Sequence, residues 1–137
     1  MLNYVLMKRA LVVLAVLAPL LSGAGQRRKQ PLPPEVEVVQ VVARRVENRI
    51  ELDGTIRNAG EMPAQELVLK FEFLSSGDKV LTVRNGPAPE EYLEPGDECS
   101  FYFHLRDEVR AVRFRIRASD RRRDVLKVVK PGPYPIR

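Results

Sequence analysis

The sequence predicts an all-β fold, an immunoglobulin-like antiparallel β-sandwich of about seven strands. Three observations lead to this prediction. Apolar and polar residues alternate with a period of two through most of the chain, which is the pattern of half-buried strands. Turn-forming residues recur about every eight to twelve positions, the spacing typical of a sandwich. After the N-terminal apolar run, no segment has helical periodicity over ten or more residues.

The predicted strands follow one another from residue 36 onward. Their segments are VEVVQVVA at 36–43, IELDGTIRN at 50–58, ELVLKFEFL at 66–74, KVLTVR at 79–84, CSFYFHL at 99–105, RAVRFRIRAS at 110–119 and DVLKVVK at 124–130. Asn58, Gly60 and Pro63 supply turn chemistry after the second segment. Residues 85–97 form a long crossing loop that ends in the turn pair Pro95-Gly96.

Alternation also predicts the core. In the third and fifth segments the inward residues are Leu67, Leu69, Phe71, Phe73, Cys99, Phe101, Phe103 and Leu105. With Phe114 from the next segment, five phenylalanines are expected to form the centre of the core. Cys99 is the only cysteine, so no disulfide can form within the chain. We expect a buried thiol there, with an intermolecular disulfide as the alternative.

The N-terminus has the three zones of a secretory signal peptide. Lys8 and Arg9 precede the uncharged run ALVVLAVLAPLL at 10–21, and the small residues SGAG follow. Cleavage is expected after Ala24 or Gly25. A twelve-residue helix reaches about 18 Å, short of the roughly 30 Å of a bilayer core, so an uncleaved anchor is the lesser alternative. We therefore expect a protein of the periplasm or the extracellular space.

The segments on either side of the strands are rich in proline. Residues 25–35, GQRRKQPLPPE, are predicted to be a flexible tether, and residues 131–137, PGPYPIR, a tail that cannot join a central strand. The domain is thus placed at 36–130. Loss of residues 1–24 leaves 23 − 2 = 21 Lys and Arg against 18 Asp and Glu, a net charge of +3, which is ordinary for a soluble surface.

Three segments resemble the FxLYD domain of exported bacterial proteins: LDGTIRN at 52–58, AQELVLKFEFLSSGDKV at 64–80 and LEPGDECSFYF at 93–103. The positions that match the pattern of that family are Gly54, Asn58, Phe71, Gly77, Leu93, Pro95, Gly96 and Phe101. In the motif that names the family, this chain keeps Phe71 but has Phe73, Leu74 and Ser75 for Leu, Tyr and Asp. The resemblance implies an extracytoplasmic accessory module without a known general activity, and it supplies no catalytic residues.

The sequence offers little for catalysis or metal binding. Cys99 and His104 lie five residues apart in one predicted strand, so they point to opposite faces, roughly 16 Å apart, and cannot form a nucleophile and base pair. One Cys and one His are too few for a zinc or copper site. The loop carboxylates Glu90, Glu91, Glu94, Asp97 and Glu98 lack the spacing of a calcium loop. We predict no enzyme activity, no metal and no cofactor.

Six arginines stand in VRFRIRASDRRRD at 112–124. Alternation places Arg113, Arg115 and Arg117 in a row on one face of a strand and Arg121, Arg122 and Arg123 at a hairpin tip. One interpretation is a solvated face balanced by Glu72 or Glu66, next to a charged turn that discourages aggregation. The other is a surface that binds an acidic protein, an anionic lipid or an acidic glycan. Nucleic acid is disfavoured by export and by the lack of an exposed aromatic row.

The leading hypothesis is a non-catalytic binding or structural module of the cell envelope that docks to another envelope or extracellular protein. It would use a sheet face, a sheet edge or its loops. The alternative is direct binding of anionic lipid or glycan by the six arginines. The partner, the pathway, the oligomeric state and the pairing order of the strands stay open at this level.

Overall fold

The computed structural model describes residues 30–137, which form an all-β sandwich and so confirm the predicted fold class. The strands are β1 (Glu35–Val46), β2 (Arg49–Asn58), β3 (Ala64–Gln65), β4 (Val68–Leu74), β5 (Val80–Pro87), β6 (Tyr92–Leu93), β7 (Glu98–Arg106), β8 (Arg113–Ser119), β9 (Lys127–Val129) and β10 (Tyr134–Pro135). No helix in this part of the chain is long and apolar enough to cross a membrane. The predicted signal peptide and its cleavage positions, Ala24 and Gly25, lie outside the described residues.

Two four-stranded sheets make up the sandwich. The first has the order β7-β2-β1-β9, the second has the order β10-β8-β4-β5, and β3 pairs with β6 at the side. All neighbouring strands are antiparallel except β1 and β9. The hairpin β1-β2 lies in the first sheet and the hairpin β4-β5 lies in the second. Strand β7 then pairs with β2 in the first sheet, and β8 pairs with β4 in the second. This alternation between sheets is the Greek-key connectivity of immunoglobulin-like domains.

The predicted phenylalanines fill the space between the sheets. Phe71, Phe73, Phe101 and Phe114 are buried, and Phe103 is partly buried at the side of the core. The ring of Phe71 lies within 6.2 Å of the rings of Phe101, Phe103 and Phe114. These separations and tilts are those of favourable aromatic contacts.

Two glycines allow the rings to approach the backbone. A Cβ atom on Gly54 would lie 2.6 Å from the ring of Phe101, and one on Gly86 would lie 2.6 Å from the ring of Phe103. The two rings stack on each other with centroids 5.5 Å apart. The backbone at each glycine thus provides the room into which a phenylalanine packs.

Asn58 is the buried polar residue at the end of β2, and all its side-chain bonds are made. Its Nδ2 group donates to the carbonyl oxygens of Met62 and Leu93, at 2.8 and 2.9 Å. Its Oδ1 atom accepts from the N–H groups of Gly60 and Glu35, at 2.9 and 3.3 Å. One side chain therefore joins the start of β1, the turn after β2 and strand β6.

The C-terminal segment differs from its prediction as a tail outside the domain at 36–130. Tyr134 and Pro135 pair with β8 at the edge of the second sheet, and the Tyr134 ring packs 5.5 Å from that of Phe114. The Arg137 N–H donates to the Ala43 carbonyl at 2.9 Å, and the Arg137 carbonyl accepts from the Arg45 N–H at 2.8 Å. An edge strand tolerates proline because one side of it needs no donor. Residues 131–137 therefore belong to the domain.

The end of the predicted flexible tether is also held in place. The Leu32 N–H donates to Glu61 Oε1 at 2.7 Å, and the Glu61 N–H donates to the Leu32 carbonyl at 3.1 Å. Pro34 is buried, and strand β1 begins at Glu35. The compact unit accordingly runs from Pro31 to Arg137, wider at both ends than the predicted 36–130.

Candidate functional site

The predicted row of arginines lies on the outer face of the second sheet, where carboxylates meet it. Arg115 is directly opposite Glu72 on β4, and the Nε groups of Arg115 and Arg117 both donate to Glu72 Oε1 at 3.2 Å. Arg113 donates to Asp78 Oδ1 at 2.7 Å. Glu72 therefore balances the charge of the arginines, as expected for a solvated face, and each guanidinium of the row has an acidic partner.

The hairpin predicted at Arg121, Arg122 and Arg123 does not form, because β8 belongs to the second sheet whereas β9 pairs with β1 in the first. The three arginines lie in the loop that connects the two sheets, and the backbone of this loop is organised by Asp120. Its Oδ1 atom accepts from the backbone N–H groups of Arg122 and Arg123, at 3.1 and 2.8 Å. The side chain of Arg121 lies 4.0 Å from Glu66, whereas that of Arg123 turns toward the sulfur of Met62 at 3.8 Å. Arg121 and Arg123 thus contact different neighbours, and the loop does not present these two arginines as one group.

Cys99 and His104 lie on opposite faces of β7, as the alternation predicted. The Cys99 thiol is buried, and this burial raises its pKa. His104 is exposed, with its ring centroid 4.7 Å from that of Tyr102 and its Nδ1 atom 3.2 Å from Nη1 of Arg49. Within residues 30–137, no three His, Cys, Asp or Glu side chains gather closely enough to hold a metal ion.

The outer face of the first sheet has a different character from the arginine row. Cross-strand register places Val42, Asp53 and Tyr102 in one line across β1, β2 and β7, with Gln40, Thr55 and Ser100 in the next line. Tyr102, Val39 and Val42 are exposed by 51%, 45% and 44%. We call this surface the Tyr102 face and define it as Val39, Gln40, Val42, Asp53, Thr55, Ser100 and Tyr102.

Charged residues border the Tyr102 face at one end. Arg44 lies 3.9 Å from Glu51, and His104 stands opposite Glu51 in the register. Partial desolvation at the sheet surface, followed by the nearby Glu51 carboxylate, raises the pKa of Tyr102 above that of an ordinary tyrosine. The Tyr102 face therefore has an aromatic and aliphatic centre, with paired charged and polar side chains at one end.

Sequence alternation assigned Tyr102 to an outer face but missed Val39 and Val42. The register of β1 with β2 shifts between Val38 and Gln40, so the inward residues change from Val36 and Val38 to Val41 and Ala43. The sequence did contain a signal, because the run VEVVQVVA has valines at both odd-numbered and even-numbered positions. Alternate side chains of a regular strand point to opposite faces, so such a strand cannot bury all of these valines.

The hollows near the Tyr102 face are open rather than enclosed. One of about 200 Å³ is lined by Gln40, Val42, Arg44, Glu51 and Asp53. Another of about 520 Å³ lies at the end of the sheet, between residues 47–49 and 104–106. Neither brings a nucleophile next to a base, and both suit contact with another surface better than enclosure of a small molecule.

A scan of the sequence against protein-family models finds no match, and a search of curated proteins finds no similar sequence. The resemblance to the FxLYD domain therefore stays a prediction, and a functional proposal has to rest on the geometry of this chain.

Proposed function

We propose that this chain is an exported, non-catalytic binding module of the cell envelope, related to FxLYD domains, that docks a partner protein through the Tyr102 face. The observation that carries the proposal is the exposure of Tyr102, Val39 and Val42 together on one sheet. The outer face of the other sheet is instead occupied by the ion pairs of Arg113, Arg115 and Arg117.

The composition of the Tyr102 face supports contact with a protein. Tyrosine is enriched at protein interfaces because it offers a large apolar ring, a hydroxyl and only two side-chain torsions to restrict. The contact of Tyr102 with His104 limits the ring further before any partner arrives. Serine, threonine and glutamine beside it supply short polar groups for a rim.

Direct binding of anionic lipid or glycan by the arginines is the competing proposal from the sequence. An incoming anion would meet guanidinium groups whose positive charge is already partly offset by Glu72 and Asp78, which accept hydrogen bonds from the row. This geometry favours the docking of a protein at the Tyr102 face over the binding of an anion at the arginine row.

A photo-crosslinking amino acid placed at Val42 tests the proposal in the intact cells that make the protein. Val83 is the matched control, since it is exposed by 45% and lies on the outer face of the second sheet, opposite Glu72. We expect a discrete protein adduct from position 42 and none from position 83. The adduct should disappear when Val39→Glu is added.

The absence of an adduct at position 42, or the same adducts from both positions, would contradict docking through this face. Export is measured separately, by N-terminal sequencing of the protein recovered from outside the cytoplasmic membrane. A mature terminus after residue 24 or 25 is expected.

A further inference from the structure

The two sheets have four outer edge strands, and these are not equally protected against pairing with a strand of another molecule. Strand β9 has three residues and β10 has two, including Pro135. Strand β5 has a register shift opposite Leu74 and ends at Pro87. Strand β7 is nine residues long, contains no proline and keeps one register with β2 throughout. Natural proteins usually shorten, bend or block sheet edges, because unpaired edges recruit other strands. Among the described strands, β7 lacks these devices.

The free hydrogen-bonding groups of β7 can be assigned by residue. Asp107 donates to the Asn48 carbonyl, and the Asp97 carbonyl accepts from Asn58, so residues of odd number face β2. In an antiparallel strand, the groups of alternate residues point to opposite sides. The N–H and C=O groups directed to the free edge are therefore those of Glu98, Ser100, Tyr102, His104 and Arg106. In residues 30–137 no further strand pairs with that side.

We propose that β7 pairs with β7 of a second copy of this chain, antiparallel, around a twofold axis at Tyr102. This register places Glu98 opposite Arg106 of the second copy, and Ser100 opposite its His104. The two Tyr102 rings meet at the axis. Each line of the outer face is then a favourable cross-strand pair: opposite charges at both ends, hydroxyl with imidazole, and aromatic with aromatic.

In the same register, the core-facing side chains of the two β7 strands also complement each other. Phe101 would face Phe103 of the second copy, and Cys99 would face its Leu105. In the single chain, Phe103 and Leu105 are only partly buried, whereas Phe101 is buried. The edge of the core is therefore open where a second strand would cover it.

Other registers fit less well. A shift by one residue sets inward side chains against outward ones, which the pleat of a sheet does not allow where one face is buried. A shift by two residues puts Glu98 opposite His104, or Arg106 opposite Ser100, and leaves the terminal charges without their partners. Arg106 already stands directly opposite Arg49 on β2. Like charges opposite each other are unfavourable, and Glu98 of the second copy would relieve this contact.

The dimer would join the two first sheets into one eight-stranded sheet with both Tyr102 faces on the same side. This inference goes beyond the proposed function and does not depend on it. Glu98 and Arg106 test the dimer alone, and Val39 and Val42 test the docking of a partner alone, whereas Tyr102 belongs to both surfaces.

Sedimentation velocity over a concentration series tests the dimer, with the full-length chain expressed and purified as the host processes it. We expect a reversible equilibrium between monomer and dimer. Tyr102→Lys places two cations at the twofold axis and should leave a folded monomer, with the melting temperature that the wild-type chain has at dilutions where it is monomeric. Val83→Lys, at a similarly exposed position of the other sheet, should leave the dimer intact.

The charges at the two ends supply a test of register. Glu98→Arg and Arg106→Glu should each weaken the dimer by roughly tenfold, since each reversal creates two like-charge pairs across the interface. An equimolar mixture of the two variants should form a heterodimer, because both of its end pairs are attractive. The double variant should recover the homodimer.

Three results would overturn the proposal. The first is a monomer at all concentrations. The second is a dimer that neither charge reversal weakens. The third is slow hydrogen exchange at the amides of Ser100, Tyr102 and His104 in a monomeric sample, which would mean that the chain covers its own edge.

Discussion

Arg115 and Glu72 face each other across the β4-β8 pair, with Nε of the arginine 3.2 Å from Oε1 of the carboxylate. The same oxygen accepts from Arg117 at 3.2 Å. One glutamate therefore neutralises part of a row that the sequence presents as strongly basic. The charge available to an outside anion is smaller than the count of arginines suggests.

Replacement of Glu72 by glutamine should uncover the positive charge of the row. We expect Glu72→Gln to bind anionic vesicles more strongly than the wild-type chain at low salt and to lose the difference as salt is raised. The cost in stability should be about 1 kcal/mol or less, because the arginines are partly solvated. Vesicle co-sedimentation and urea unfolding measure the two effects.

The triple variant of Arg113, Arg115 and Arg117 to glutamine is the complementary measurement. Because Glu72 and Asp78 offset most of the charge of the row, the variant and the wild-type chain should bind anionic vesicles almost equally weakly. A marked loss of binding in the triple variant would show that the row binds anions despite Glu72 and Asp78.

Asn58 should be among the least tolerant positions in the domain. Asn58→Asp keeps the shape of the side chain but removes both donors, so the carbonyls of Met62 and Leu93 lose their bonds in a buried site. We expect the free energy of unfolding to fall by about 2 to 4 kcal/mol. Urea unfolding measures it, and Asn85→Asp, at an exposed position of β5, should change it by less than about 0.5 kcal/mol.

Substitution by alanine should have very different effects on stability at two glycines, because only one of them lies against a ring of the core. Gly86→Ala should destabilise the domain by about 1 to 3 kcal/mol, because its methyl group would meet the Phe103 ring at 2.6 Å. Gly77→Ala is the control, since its nearest neighbour is Ser75 Oγ at 4.0 Å. Equal melting temperatures for the two variants would mean that the Phe103 ring moves aside without cost.

Strand alternation alone was enough to predict the sandwich, the phenylalanine core and the outward direction of the arginine row. Each of these follows from the parity of side chains within a single strand. The exposure of Val39 and Val42 depends on a register shift in β1, which parity cannot reveal. The packing of residues 131–137 against β8 depends on an edge left free by other strands. The importance of Gly86 depends on a ring from the opposite sheet. These features arise between strands, so a pattern within one strand does not predict them.

Cys99 should remain a reduced and slowly reacting thiol in the folded protein. Burial raises its pKa, so less thiolate forms at a given pH, and access by a reagent is limited as well. Alkylation by iodoacetamide at mildly alkaline pH should be much slower in the folded protein than in urea. In the proposed dimer Cys99 faces Leu105 of the second copy, so the dimer should run as a monomer on a denaturing gel without reductant. A covalent dimer on that gel would contradict both the burial and the register.

The raised pKa of this thiol also gives a pH dependence of stability with a defined sign. A group that holds its proton more tightly when folded contributes stability below its unfolded pKa and loses that contribution as pH rises through its folded pKa. The pKa values of Tyr102 and Tyr134 are raised too, so all three groups should weaken the fold at alkaline pH. We expect the free energy of unfolding in urea to fall between neutral and strongly alkaline pH. Cys99→Ala should reduce the size of that fall, whereas an equal fall in this variant would assign the effect to the tyrosines.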